Sequence, residues 1–111
     1  MKRFTMSVDL VDDPQKIEEY EHWHKNENIW PEIKKSILDS GITNMEIYRT
    51  GHRLFMIIEA DDTFSFETKG KLDAANPKVQ EWEDMMSNYQ LPLPWAAAGE
   101  KWTLLDKIFE L

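Results

Sequence analysis

A two-layer α+β fold, an antiparallel sheet with helical segments against one face, is predicted by three features of the sequence. Phe4, Met6, Val8 and Leu10 alternate with Arg3, Thr5, Ser7 and Asp9, the period of a half-buried strand. Twice a capping residue followed by proline, Asp13-Pro14 and Asn76-Pro77, opens an apolar stripe at helical spacing. Between them, residues 42–60 form two strand-like runs joined by Thr50-Gly51-His52, a hairpin. In order these elements read β-α-β-β-α-β, the split βαβ or ferredoxin-like arrangement, with each α position divided into two helical pieces.

The first strand ends at Asp12-Asp13-Pro14, and the helix that follows is expected to run to about Lys25. Residues 25–28 are polar and form a joint. A second helical pattern places Trp30, Ile33 and Ile37 on one face and stops at Ser40-Gly41. The returning strand of the hairpin carries five successive apolar residues, Leu54 to Ile58, which predicts burial on both faces of the sheet. The side away from the helices is therefore expected to be covered, by a second copy of the chain packed sheet to sheet. Asp61-Asp62-Thr63 begins another helical region, expected to break near Gly70 and to restart at Asn76-Pro77, with Val79, Trp82 and Met86 as its apolar stripe. Residues 90–99 form a loop held by Pro92 and Pro94. A closing strand is expected over 101–111, apolar at Trp102, Leu104, Leu105, Ile108 and Phe109.

The 111 residues make one domain, 1–111, which buries roughly 65% of its unfolded surface and needs no staples. There is no cysteine, so disulfides, thiolate metal sites and a catalytic thiol are excluded. The first six residues alternate polar and apolar rather than forming a signal-peptide run, and no uncharged stretch reaches the ~18 residues of a membrane helix. A soluble, cytoplasmic protein is the expectation. Thirteen basic residues against 21 acidic give a formal charge of −8, which argues against nucleic acid and against an anionic substrate. A neutral small molecule fits this balance.

Catalysis without a thiol or a glycine-rich loop depends on histidine, tyrosine or carboxylates. On the first helix, at about 100° per residue, Ile17, Tyr20 and His24 share one sector while His22 points nearly the other way. His52 sits in the hairpin turn and is expected to be solvated. Tyr20-x-x-x-His24 therefore sets a phenol beside the one side chain that exchanges protons near neutrality, although a core tyrosine with a satisfied histidine gives the same spacing. His22 and His24, two apart, cannot face one ion, and no third ligand stands at a recognisable spacing, so no metal is expected. Of the five tryptophans, Trp30 and Trp102 sit on apolar stripes and read as core. Trp82 is followed by Glu83, an indole beside a carboxylate. That combination suits a sugar, whose C–H face packs on the ring while the carboxylate accepts hydroxyl hydrogens. A core tryptophan next to a surface glutamate is the plainer account of the same pair.

Tyr20-x-x-x-His24 followed by Ile29-Trp30-Pro31-Glu32 resembles the corresponding segment of the L-rhamnose mutarotase family. So do residues 41–48, the strand from Leu54 to Glu59 and the stretch from Gln80 to Met86, so that the resemblance covers nearly the whole chain. It implies a dimeric α+β barrel, no cofactor, and interconversion of the α and β anomers of a 6-deoxyhexose. By that resemblance His24 stands in the place of the catalytic proton donor, with Tyr20 and Trp82 in substrate-contacting positions. Three departures stand out. Met45 replaces a substrate-contacting tyrosine, Glu83 replaces a second tryptophan, and the segment between His24 and Ile29 is about two residues longer. The first two alter which hydroxyls are read, so that L-fucose joins L-rhamnose as a candidate sugar and Glu83 becomes a hydroxyl ligand or partner base. Two other readings share this architecture: a small monooxygenase or haem-binding enzyme, and a non-catalytic binding domain.

Overall fold

The computed structural model describes all 111 residues, Met1–Leu111. Its elements are β1 (Lys2–Leu10), α1 (Pro14–Trp23), α2 (Pro31–Asp39), β2 (Ile42–Thr50), β3 (Arg53–Ala60), α3 (Phe66–Ala74), α4 (Pro77–Met86), β4 (Gln90–Leu91) and β5 (Thr103–Leu104). The antiparallel sheet has the order β2-β3-β1-β4, with β5 also on β1, which is the ferredoxin-like arrangement expected from the element order.

Local chemistry sets the starts of the helices. The Asp13 carboxylate accepts from the amides of Gln15 and Lys16, and the Asn76 side chain from those of Lys78 and Val79, each ahead of a proline at the first helical position. Ser65 Oγ caps α3 through the Thr68 amide at 3.0 Å. Gly41 closes α2 at φ +99°, where a Cβ would meet the Asp61 carboxylate at 2.9 Å.

Three expected boundaries move. The first helix ends at Trp23 rather than Lys25, leaving His24 as its C-cap. The helical region after β3 begins at Phe66, because Asp61 Oδ1 instead binds Thr63 in a tight turn, and α3 then runs unbroken through Gly70. The closing strand is only Thr103–Leu104. After Leu105 donates to the Thr5 carbonyl the chain leaves the sheet, and Ile108 and Phe109 lie 95% and 75% exposed because no strand of this chain is there to pair with them. A short strand at Gln90–Leu91, unforeseen within its loop, takes the end of β1 at Asp9 and Leu10.

The helices pack on the face carrying Phe4, Met6, Val8, Leu54, Met56 and Ile58, but the core there is not continuous. One cluster gathers Val8, Leu10, Tyr20, Ile33, Leu54, Val79, Trp82 and Met86; a second gathers Ile42, Ile58, Ala60 and Phe64, with Phe4 and Phe66 against it. On the opposite face Tyr48, Phe55 and Ile57 are exposed or half-buried. There Arg53 Nε donates to Asp9 Oδ1 at 2.7 Å, with its guanidinium 5.1 Å from the Trp95 ring.

Candidate active site

Between the two core clusters lies a cavity of about 350 Å³, bounded by the sheet and all four helices. It lies at the small end of ligand pockets, roughly 300–1,000 Å³, a fit for a monosaccharide and a poor one for a tetrapyrrole. Tyr20, His24, Trp82, Glu83 and Met45 all line it. Every site residue read from the sequence therefore meets in one place.

His24 owes its position to the end of α1. The last carbonyls of a helix lack amide partners, and one of them, that of Tyr20, lies 2.7 Å from His24 Nδ1. A carbonyl can only accept, so Nδ1 carries the hydrogen and Nε2 keeps its lone pair in the neutral ring. Burial holds the His24 pKa below its ordinary value, outweighing the hydrogen bond to Tyr20 that acts in the opposite sense. The neutral, base-competent tautomer is thus the resting form at neutral pH. Tyr20 orients the imidazole through its backbone and by stacking, with ring centroids 4.2 Å apart and planes 27° from parallel.

The Tyr20 hydroxyl is only 3% exposed as part of its residue and accepts from Gln90 Nε2 at 3.3 Å. Burial pushes its pKa up to about 12, the Gln90 hydrogen bond working the other way. It remains a phenol, with its own hydrogen available to donate. Gln90 Oε1 is buried with no hydrogen-bond partner in the protein, and an unpaired buried acceptor costs about 1–3 kcal/mol. Trp82, 7% exposed, stands edge-on to both His24 and Trp30 at 5.5 and 5.2 Å, which fixes its indole as a wall. Trp30 is half-buried against it. Trp102 is not plain core, since it lines the cavity. Glu83 sits on α4 beside Trp82 with its side chain at the exposed rim, and His22 and His52 are exposed, away from the site.

Five polar lining residues had no part in the reading from sequence: Ser36, Lys69, Asp73, Gln90 and Lys101. Gln90 had no local signal, because pairing of β4 with β1 brings it beside Tyr20. For Lys69 and Asp73 a signal existed: they share a helix face with Phe66 once α3 is drawn through Gly70.

The model of the L-rhamnose mutarotase family matches residues 3–111. The chain belongs to this family. An L-fucose mutarotase of Xanthomonas campestris pv. campestris is 39% identical over 111 residues, covering 100% of this chain and 89% of that protein. A protein of Dictyostelium discoideum is 33% identical over a 117-residue alignment, covering 99% of this chain and 90% of the other. Among solved structures, an L-rhamnose mutarotase from Formosa agariphila superposes with a TM-score of 0.72 at 21% identity, covering 100% and 99% of the two chains. Tetracenomycin F2 cyclase of Streptomyces glaucescens superposes with a TM-score of 0.61 at 18% identity, again over 100% and 99%. The fold of the mutarotase family thus also carries a polyketide cyclase, and the site rather than the scaffold decides the reaction.

Proposed function

We propose that this chain is an isomerase that interconverts the anomers of a 6-deoxyhexose, L-fucose or L-rhamnose, in the cavity between its sheet and helices. The observation that carries the reading is His24, which lines the cavity with its Nδ1–H committed to the Tyr20 carbonyl, so that Nε2 is the nitrogen left free to act as a base. Nε2 takes the proton from the anomeric hydroxyl, the C1–O5 bond breaks as the C1 carbonyl forms, and the imidazolium returns that proton to the ring oxygen. Both oxygens are bonded to C1, so one imidazole serves both. After rotation about C1–C2 the same transfers run backwards on the other carbonyl face. Nothing is oxidised and no group leaves, and a positioned acid–base group is worth about 10²–10⁴-fold.

The Tyr20 hydroxyl, held by Gln90, donates to the sugar oxygen on which charge develops. The unpaired Gln90 Oε1 accepts a hydroxyl hydrogen, Trp82 walls the apolar sugar face, and Glu83 binds a hydroxyl at the rim. L-fucose gains support from the 39% identical relative named for it, and from Met45 and Glu83 lining the cavity where the sequence departs from the rhamnose pattern. The active assembly is a homodimer in the cytoplasm. Tyr48, Phe55 and Ile57 leave an apolar sheet face without helices, and the exposed Ile108, Phe109 and Leu111 give the carboxyl-terminal tail a reason to seek a partner. Saturation-transfer NMR on equilibrated L-fucose and L-rhamnose, with wild type beside His24→Ala, tests the chemistry. Equal exchange in both samples removes His24 from the mechanism. Sedimentation tests the dimer, and a monomer at micromolar concentration refutes it.

A further inference from the structure

The inward face of α3 is charged where the fold asks for apolar side chains. Phe66, Lys69, Gly70 and Asp73 all line the cavity, and their spacing of i, i+3, i+4 and i+7 is that of a single helix face. Phe66 alone packs as such a face normally does, its ring 4.8 Å from that of Phe4 and 5.1 Å from that of Phe64. Gly70 weakens the helix interior, yet a Cβ there would meet nothing within 4 Å, so packing does not require it. Lys69 Nζ pairs with Asp73 Oδ2, the side chains 21% and 14% exposed. The other ion pairs at spacings of three or four (Lys35–Asp39, Glu67–Lys71, Lys78–Glu81 and Lys107–Glu110) have every side chain at least 54% exposed.

That difference separates their roles. Exposed pairs are solvated decoration, whereas a desolvated pair gains little or nothing over apolar residues of the same shape. Stability therefore does not account for a lysine and an aspartate turned into a cavity lined mainly by apolar side chains, and such a breach of local patterning is expected where a site is built.

We propose that Lys69 and Asp73 read the sugar, binding two neighbouring hydroxyls remote from the carbon at which His24 acts. The ammonium donates to one hydroxyl oxygen and the carboxylate accepts the hydrogen of the next, a donor–acceptor match for a vicinal diol. The remoteness follows from the divided core. Phe66 packs with the cluster around Phe4, while Tyr20 and Trp82 pack with Val8 and Leu10, so the charged pair and the imidazole reach the one cavity from different walls. Gly70, between the two charges, leaves the approach to them free of a side chain.

This inference rests on the mutarotase reading, and its test keeps the two apart. Anomer exchange is measured for wild type, Lys69→Met/Asp73→Leu and Lys69→Arg on L-fucose, L-rhamnose and the 3-deoxy and 4-deoxy analogues of whichever sugar is turned over. The double variant is expected to melt no lower than wild type, to keep kcat within a few-fold, and to raise KM roughly 10–100-fold, the scale of hydrogen bonds to charged groups. A deoxy analogue lacking a read hydroxyl is expected to lose little further on the double substitution, and Lys69→Arg to retain most of the affinity. An unchanged KM in the double variant of an active enzyme overturns the inference and leaves the mutarotase reading standing. So does a loss equal for every sugar and matched by a lower Tm. A wild type that exchanges no sugar overturns the mutarotase reading and this inference with it.

Discussion

Apart from Glu83 at its rim, the α1–α4 wall of the cavity presents neutral groups held in place by packing, whereas the α3 wall presents charges held by each other. On the first wall Tyr20 and Trp82 are nearly fully buried, and burial keeps the His24 imidazole neutral and the Tyr20 phenol protonated. On the second, no residue of α3 is fully buried and Lys69 faces Asp73. The contrast shows what a low-dielectric site can hold: a group that must exchange a proton is kept uncharged at rest, and a group that must only recognise hydroxyls can stay ionised if its counter-ion is one turn away.

Substitutions can break or sharpen that contrast. The largest effect is expected from His24→Asn, whose amide can still donate to the Tyr20 carbonyl but has no basic nitrogen. Anomer exchange should fall about 10²–10⁴-fold with Tm nearly unchanged, and a large drop in Tm instead makes His24 a structural cap. Next is Trp82→Ala, which opens the wall between His24 and Trp30 and should cost roughly 3–5 kcal/mol in a denaturant titration. Tyr20→Phe keeps the backbone acceptor and the stacking while removing the phenol. The loss in kcat should be about 10-fold, the scale of one hydrogen bond, and no loss would confine Tyr20 to orienting His24.

The pH dependence carries a definite sign. His24 titrates below its ordinary value in the folded chain, so the unfolded chain binds its proton first. Stability from this group is complete above pH ~6.5 and is lost as the pH falls toward the depressed folded value. Exchange should fall at the lower end of that range, where Nε2 of the folded chain becomes protonated. A difference between wild-type and His24→Asn stability that does not vary with pH below 6.5 would contradict the burial effect. The smallest effect is Gly70→Ala, which should stabilise α3 by up to about 1 kcal/mol, since the added Cβ meets no atom within 4 Å.

Much of this was legible locally. Asp13-Pro14 and Asn76-Pro77 marked their helices because caps act within three residues, and Tyr20 and His24 shared a face because helical spacing put them there. Where the reading went astray, the deciding partner lay elsewhere. Gly70 looked like a break but sits inside α3, whose start is set by Ser65 and not by Asp61. The closing strand looked long because residues 101–111 are rich in large apolar side chains, yet a strand exists only where another offers free backbone groups, and β1 pairs with Thr103 and Leu104 and accepts one last bond from Leu105.

The sequence by itself determined the order of elements, the neutral-ligand bias of an acidic chain, and the phenol and imidazole on one side of α1, all consequences of spacing and composition. The bond that leaves His24 Nε2 free spans only four residues, but only the tertiary structure decided that Gln90 reaches Tyr20 and that the face of α3 holding Lys69 and Asp73 turns inward. Those facts depend on contacts between residues up to 70 positions apart, and no local periodicity encodes a distance that only a packed core creates.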